Sequence, residues 1–184
     1  MKRGAGSAWG VLLLAVGLST PAAAVTARGP VCNAAAKIIS TTYYSCNSGT
    51  HTALDVGGVP CGEPLYGPLV GNFTYRLYGG CANTCSGTNT SCNGGAGNYY
   101  VVTGGSGWDF RMLHANNGAT TPPTTKTCDR CLLGTVVGST GSATSPHVHL
   151  DNRQYGTRKS AWYAGGVTCG SSATCTQVIG YPTL

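Results

Sequence analysis

Every histidine in this 184-residue chain lies in a segment able to supply a metal ligand or a proton carrier, and there are only four. They are His51, in His51-Thr52-Ala53-Leu54-Asp55; His114, in Met112-Leu113-His114-Ala115; and His147 and His149, in Ser145-Pro146-His147-Val148-His149. Asp55 adds a carboxylate four positions after His51. Imidazole and carboxylate are both zinc ligands, and a catalytic zinc site keeps three protein ligands and one open position. His51, Asp55 and one member of the His147/His149 pair make such a set, and spacing alone does not say which member. Zinc acidifies a bound water and polarises a carbonyl. The two histidines left over are suited to holding or deprotonating that water and to stabilising an oxyanion. This is the equipment of a metallohydrolase that uses one zinc ion and no organic cofactor.

The elements that position these groups read as strands. Successive side chains on a strand alternate between faces, so His147-Val148-His149 aims both imidazoles at one surface and turns Val148 into the core. Pro146 closes the preceding loop. The stretch Asp55-Val56-Gly57-Gly58 with Pro60 argues against a helix, which places His51 at the end of a loop and Asp55 on a short strand. No apolar stripe with helical period persists anywhere. Strands are expected over Lys37–Tyr44, Leu54–Val56, Gly71–Tyr78, Asn98–Thr103, Asp109–Ala115, Leu132–Ser139, Val148–Asn152 and Gln177–Tyr181, separated by Gly, Asn, Ser and Thr clusters. Gly79–Ala96, with three cysteines, and Asn116–Thr127, rich in Thr and Pro, read as loops. Gly138–Gly141 lacks the lysine and following helix of a phosphate loop and reads as a tight turn ahead of His147. The fold class expected is all-β, a single antiparallel domain with long disulfide-bridged loops.

Composition narrows the setting. Residues 1–24 combine Lys2 and Arg3, a short apolar run and Ala22-Ala23-Ala24, the pattern of a secretory signal peptide cut after Ala24. The run is too short and too interrupted by glycine for a membrane span, which needs about 20 apolar residues. Residues 25–184 then form one domain, secreted or periplasmic. Removing Lys2 and Arg3 from eleven basic residues leaves nine against five acidic ones. That mild excess suits an anionic polymer such as a bacterial wall, and equally well ordinary solubilising charge, and its spread along the chain gives no basic cluster for nucleic acid. Monomer is the default. Ten cysteines in an oxidising compartment imply disulfides. Proximity favours Cys169–Cys175 and local bridging among Cys81, Cys85 and Cys92, while Cys128-x-x-Cys131 reads as a structural disulfide arrangement, not as half of a thiolate zinc site. Asp109 and Asp151 could each orient an imidazole, with solvent exposure the commoner outcome for a carboxylate. Among the aromatics Tyr43, Tyr44, Tyr99, Tyr100, Trp108, Trp162 and Tyr163, core packing is the commoner role and a groove wall the alternative.

The segment from His51 to Asn152 resembles the lysostaphin/LytM family of zinc metallopeptidases, which cleave peptides of bacterial peptidoglycan. His51-x-x-x-Asp55 matches the family's H-x-x-x-D, and His114 its lone strand histidine. Gly138-Ser139-Thr140-Gly141-Ser142-Ala143-Thr144-Ser145-Pro146-His147-Val148-His149 matches its long G-S-T-G…P-H-x-H signature. The resemblance implies that His51, Asp55 and His149 bind zinc and that His114 and His147 are catalytic. It implies a peptidoglycan endopeptidase. The alternative on the same fold is a catalytically silent module that binds the wall or regulates hydrolases, and retention of all five residues argues against it. A further alternative is a secreted protein in which zinc is only structural. The chain departs from the pattern at Met112, where the family usually has tyrosine, so an aromatic groove wall is expected to be missing. It also departs at Cys128 and Cys131, and in the cysteine-bearing insertion Gly79–Ala96.

Overall fold

The computed structural model describes residues 21–41, 53–85, 91–116, 119–159 and 162–184. Among them are twelve strands and no α-helix. These are β1 (Ala27–Arg28), β2 (Lys37–Thr41), β3 (Leu54–Gly57), β4 (Pro64–Tyr66), β5 (Gly71–Tyr78), β6 (Asn98–Thr103), β7 (Trp108–Asn116), β8 (Thr124–Cys128), β9 (Leu132–Val137), β10 (Val148–Gln154), β11 (Thr157–Lys159) and β12 (Val178–Gly180). Ten of them form one sheet in the order β2-β3-β10-β7-β6-β5-β8, with β11 on the edge of β10, β9 on β7 and β4 on β9. The remaining two, β1 and β12, pair with each other. Every strand pairing is antiparallel. The all-β antiparallel expectation is met.

Alternation divides the sheet into a dry face and a working face. The register aligns Leu54, Leu150, Met112, Tyr100 and Leu77 in one row across β3, β10, β7, β6 and β5. All five are buried in the main apolar cluster. A second row adds Phe110, Val102 and Tyr75. Leu65, Leu69, Trp162, Ala173 and Ile179 close over this face, with Trp162 meeting Phe110 edge to face at 5.5 Å. Complete burial of a leucine is worth about 1.5–3 kcal/mol, so the row holds the sheet in register. The neighbouring positions on the same strands face the other way, and the polar groups with chemistry lie there. Trp162 and Tyr100 are therefore core residues, and Met112 is one as well. A tyrosine in place of Met112 would enter the core, so its absence removes nothing from the working face.

Several elements differ from expectation. Thr124 to Thr127 belong to the stretch expected to be a loop, but with Cys128 they form β8, which pairs with β5 from Gly71↔Cys128 to Tyr75↔Thr124. Its run of threonines is β-branched and suits an edge strand. Strands β1, β4 and β11 are two or three residues long and carry no periodicity to read. The disulfides are Cys32–Cys175, Cys61–Cys85, Cys81–Cys92 and Cys128–Cys131. The pairing Cys169–Cys175 is thereby excluded, because Cys175 closes onto Cys32, where the parallel bridge Val31↔Thr174 brings two distant segments together. Cys169 is disulfide-bonded as well. Local bridging holds for Cys81–Cys92, whereas Cys85 reaches back to Cys61. No helix among the described residues is long and apolar enough to cross a membrane.

Non-reducing peptide mapping is expected to recover Cys32–Cys175, Cys61–Cys85 and Cys81–Cys92 as separate pairs; a Cys169–Cys175 fragment would contradict the fold. Replacing Cys32 by Ser removes the longest of these closures and is expected to cost about 2–5 kcal/mol, measured by denaturant unfolding.

Candidate metal centre

Four of the five residues singled out above converge on the working face. His51 lies outside the described residues. Asp55 on β3 and His149 on β10 are register partners, and Leu113 on β7 is the next in that row. Asp55 Oδ1 stands 3.0 Å from His149 Nδ1 and 3.9 Å from His147 Nε2. The His114 ring centroid is 4.9 Å from that of His147 and 5.8 Å from that of His149. All four side chains line one cavity of about 570 Å³. His147-Val148-His149 behaves as its alternation requires, with Val148 in the core and both imidazoles in the cavity.

His114 reaches the cavity by a different route. Along β7, Phe110 and Met112 face the core, while Arg111 and Leu113 face the cavity. Strict alternation would send His114 into the core. The pairing of β6 with β7 shifts by one residue between Asn98↔Ala115 and Tyr100↔Met112, a β-bulge. At the bulge His114 adopts φ 66°, a left-handed conformation uncommon for a residue with a side chain. The extra residue re-aims His114 to the same face as Leu113. Three hydrogen bonds anchor it there. The His114 amide donates to Ala96 O at 3.1 Å. Thr140 Oγ1 donates to Ala115 O at 2.8 Å and accepts the Asn98 amide at 2.9 Å. This packing needs Gly97 and Gly141, both at positive φ, because a Cβ on either would collide with the backbone of the other segment. The loop Gly138–Gly141 is thus the clamp of the bulge, as well as the approach to His147.

Hydrogen bonding assigns the ring nitrogens. His114 Nδ1 lies 2.7 Å from Thr140 O and His147 Nδ1 lies 2.8 Å from Ser145 O. A carbonyl only accepts, so each Nδ1 carries hydrogen, and in the neutral ring Nε2 is the basic nitrogen. Burial, aided by neighbouring His147 and His149, pushes the His114 pKa down to about 3, so it is a neutral imidazole at neutral pH. His149 is oriented the other way. Its Nε2 approaches Asp151 Oδ2 at 3.6 Å, an ion-pair distance longer than a hydrogen bond. Burial opposes charge on His149, but the Asp151 and Asp55 carboxylates at its two nitrogens outweigh it and raise its pKa. The two carboxylates that favour a proton on this ring would also favour a cation at Nδ1, which has to displace that proton.

Asp151 corrects the expectation of a solvated carboxylate. It is fully buried. Arg153 donates to it through Nε at 3.0 Å and Nη2 at 2.7 Å, and Arg158 through Nε at 3.0 Å. Burial opposes its charge, yet His149 and Arg153 hold it well below the usual carboxylate range. Asp109 is instead tied to Arg111, at 2.7 and 3.1 Å. Sequence reasoning did not single out the cavity's arginines, Arg111, Arg153 and Arg158. Their strand positions three, four and nine residues from the site histidines were a signal, since Arg111, Arg153 and His149 share one alternation face. Further wall comes from Asn93 to Ala96 in the cysteine-bearing segment, from Tyr99, and from Ser142 and Thr144. Tyr99 therefore supplies an aromatic wall, stacked on Tyr78 at 5.0 Å. Tyr43 and Tyr44 lie outside the described residues.

The donor set fits zinc. Ligand distances of about 2.0–2.2 Å in a tetrahedron put neighbouring donor atoms about 3.3–3.6 Å apart. Asp55 Oδ1 and His149 Nδ1, at 3.0 Å, need a side-chain adjustment of only a few tenths of an ångström. A carboxylate behind the far nitrogen, as Asp151 is here, is the usual support of a zinc-ligating histidine. No three His, Cys, Asp or Glu side chains among the described residues converge closely enough to hold an ion, and His51 lies outside those residues.

No family model and no curated protein matches this chain. Among solved structures it is similar to a zinc-containing peptidase from Vibrio cholerae, with 20% identity over 74% of this chain and a TM-score of 0.47, spanning 39% of that chain's length. It is also similar to a catalytic-domain mutant of the prophage-encoded M23 protein EnpA from Enterococcus faecalis, with 16% identity over 79% of this chain and 94% of that one and a TM-score of 0.44. The reading of the site accordingly rests on its own atoms.

Replacing Asp151 by Ala leaves two guanidinium groups facing the gap and is expected to cost about 3–5 kcal/mol in denaturant unfolding; a loss below about 1 kcal/mol would show that the buried network is not structural. Gly141→Ala is expected to destabilise the protein and to shift the NMR signals of His114 more than those of Asp151.

Proposed function

We propose that this protein is a secreted zinc endopeptidase acting on peptides of bacterial peptidoglycan, with residues 1–24 a signal peptide and residues 25–184 the working domain. The observation that carries the reading is the approach of Asp55 Oδ1 to His149 Nδ1 at 3.0 Å, with two further imidazoles facing the same cavity. His51, Asp55 and His149 would hold the ion. When bound, zinc supplies Lewis acidity to a carbonyl and brings the pKa of a coordinated water near neutrality.

The chain's own residues perform the rest. Thr140 O and Ser145 O fix Nδ1–H on His114 and His147, which leaves Nε2 of each ring for the groove. Neutral His114, on which burial disfavours charge, can accept a hydrogen bond from the attacking water at Nε2, while His147 Nε2 can take the proton and return it to the leaving amine. Once protonated, His147 becomes a donor to the oxygen of the scissile carbonyl, where negative charge develops. Asp151 keeps His149 from rotating, so that Nδ1 stays on the Asp55 side. Tyr99 and the segment Asn93 to Ala96 form walls along which a peptide lies extended.

Purified protein is expected to bind about one zinc per chain and to solubilise bacterial walls, with turnover abolished by a chelator and restored by zinc while the disulfides keep the fold. Asp55→Ala and His149→Ala should lose metal. His114→Ala and His147→Ala should keep metal but lose about 10²–10⁴ in turnover, with zinc content by elemental analysis and turnover by release of wall peptides as the readouts. Full metal occupancy with no hydrolysis of any wall or peptide would favour a silent module.

A further inference from the structure

One end of the cavity is built from guanidinium groups that the chemistry above leaves unused. Arg111, Arg153 and Arg158 all line it. Arg153 and Arg158 stand directly opposite each other across the β10–β11 hairpin. Like charges in that relation repel, yet the sequence fixes it with a two-residue turn. Tyr155 and Gly156 both have positive φ, 49° and 79°, as the tightest hairpins require.

The fixed negative charge nearby does not balance these arginines. Asp109 answers Arg111 through two hydrogen bonds. Asp151 is left to serve both Arg153 and Arg158, and Arg153 takes it through two nitrogens. Among the described residues, Arg158 is bonded through Nε alone and its side chain keeps 37% exposure. One positive charge is therefore in excess on this wall, because the cavity's other carboxylate, Asp55, is turned to His149 Nδ1 at 3.0 Å. A guanidinium with an open edge offers parallel N–H donors that match a carboxylate. Its position relative to the candidate metal centre is tightly set, since Arg158 Nε and His149 Nε2 approach the same Asp151 oxygen, at 3.0 and 3.6 Å.

We propose that Arg158 is the docking residue for a free carboxylate of the substrate, and that the groove selects acidic peptides whose carboxylate lies within about two residues of the bond cleaved, at roughly 3.3 Å of extended chain per residue. This specificity rests on the peptidase reading above.

The test compares purified bacterial walls carrying free carboxylates with the same walls amidated by carbodiimide and ammonia, digested by zinc-loaded wild type, Arg158→Gln and Arg158→Lys. Wild type is expected to digest the free-acid walls about tenfold faster. In Arg158→Gln the ratio should fall toward one, through KM on the free-acid walls, and Arg158→Lys should keep part of it. A role only in steadying Asp151 would lower both rates by one factor and leave the ratio intact, which would overturn the proposal, as would a wild type without preference. If wild type digests neither wall, the peptidase reading fails, and docking is then decided by calorimetric titration with acetyl-Ala-Glu-Ala-amide and its Gln analogue. Tighter binding of the Glu peptide to wild type, by about tenfold over Arg158→Gln, sustains carboxylate docking; equal binding refutes it.

Discussion

Asp55 and His149 face each other across an antiparallel ladder, and the rest of the site is arranged around that opposition. The same register that joins them puts Leu54 against Leu150 one position away. A slip of one residue would carry the carboxylate and imidazole into the core and expose the leucines. The dry face of the sheet therefore guards the geometry of the wet one. What fixes the separation of the two donor atoms is apolar packing on the far side of the strands, more than any attraction between the donors.

Alternation supplies only part of the constellation. It aims His147 and His149 together, but would turn His114 away. The bulge in β7 corrects this, at the cost of a left-handed backbone at a residue with a side chain. Thr140 compensates by joining both strands at that point and by accepting the His114 ring hydrogen. Two glycines, Gly97 and Gly141, then let the Thr140 loop lie against the backbone of Gly95 to Gly97. The long glycine- and threonine-rich stretch ahead of Pro146 thus serves the histidine on β7 as much as the two on β10. A second support runs through Asp151, which links His149 to the arginine wall. Orientation of the proposed ligand and charge of the groove depend on one buried carboxylate.

Much of this was legible in the sequence. The strand-like runs between Gly, Asn, Ser and Thr clusters gave β5 and β6 the bounds observed, and Pro146-His147-Val148-His149 gave the face of both imidazoles. Three features were hidden for physical reasons. The bulge leaves no mark in periodicity, since it is a property of the pairing between two strands. The burial of Asp151 depends on Arg158, which comes from the next strand and meets it only after a hairpin forms. The Cys32–Cys175 bridge joins residues 143 positions apart, and proximity along the chain misdirects the pairing. The threonines of β8 were read together with the neighbouring prolines as loop composition, when their β-branching was the better guide at a sheet edge.

Zinc K-edge absorption of the zinc-loaded full chain tests the central claim most directly, because it reports the donor atoms themselves. The account predicts nitrogen and oxygen donors alone at about 2.0–2.2 Å, with the scattering pattern of two imidazoles. Sulfur at about 2.3 Å, or a spectrum that keeps both imidazoles in His149→Ala, would contradict it.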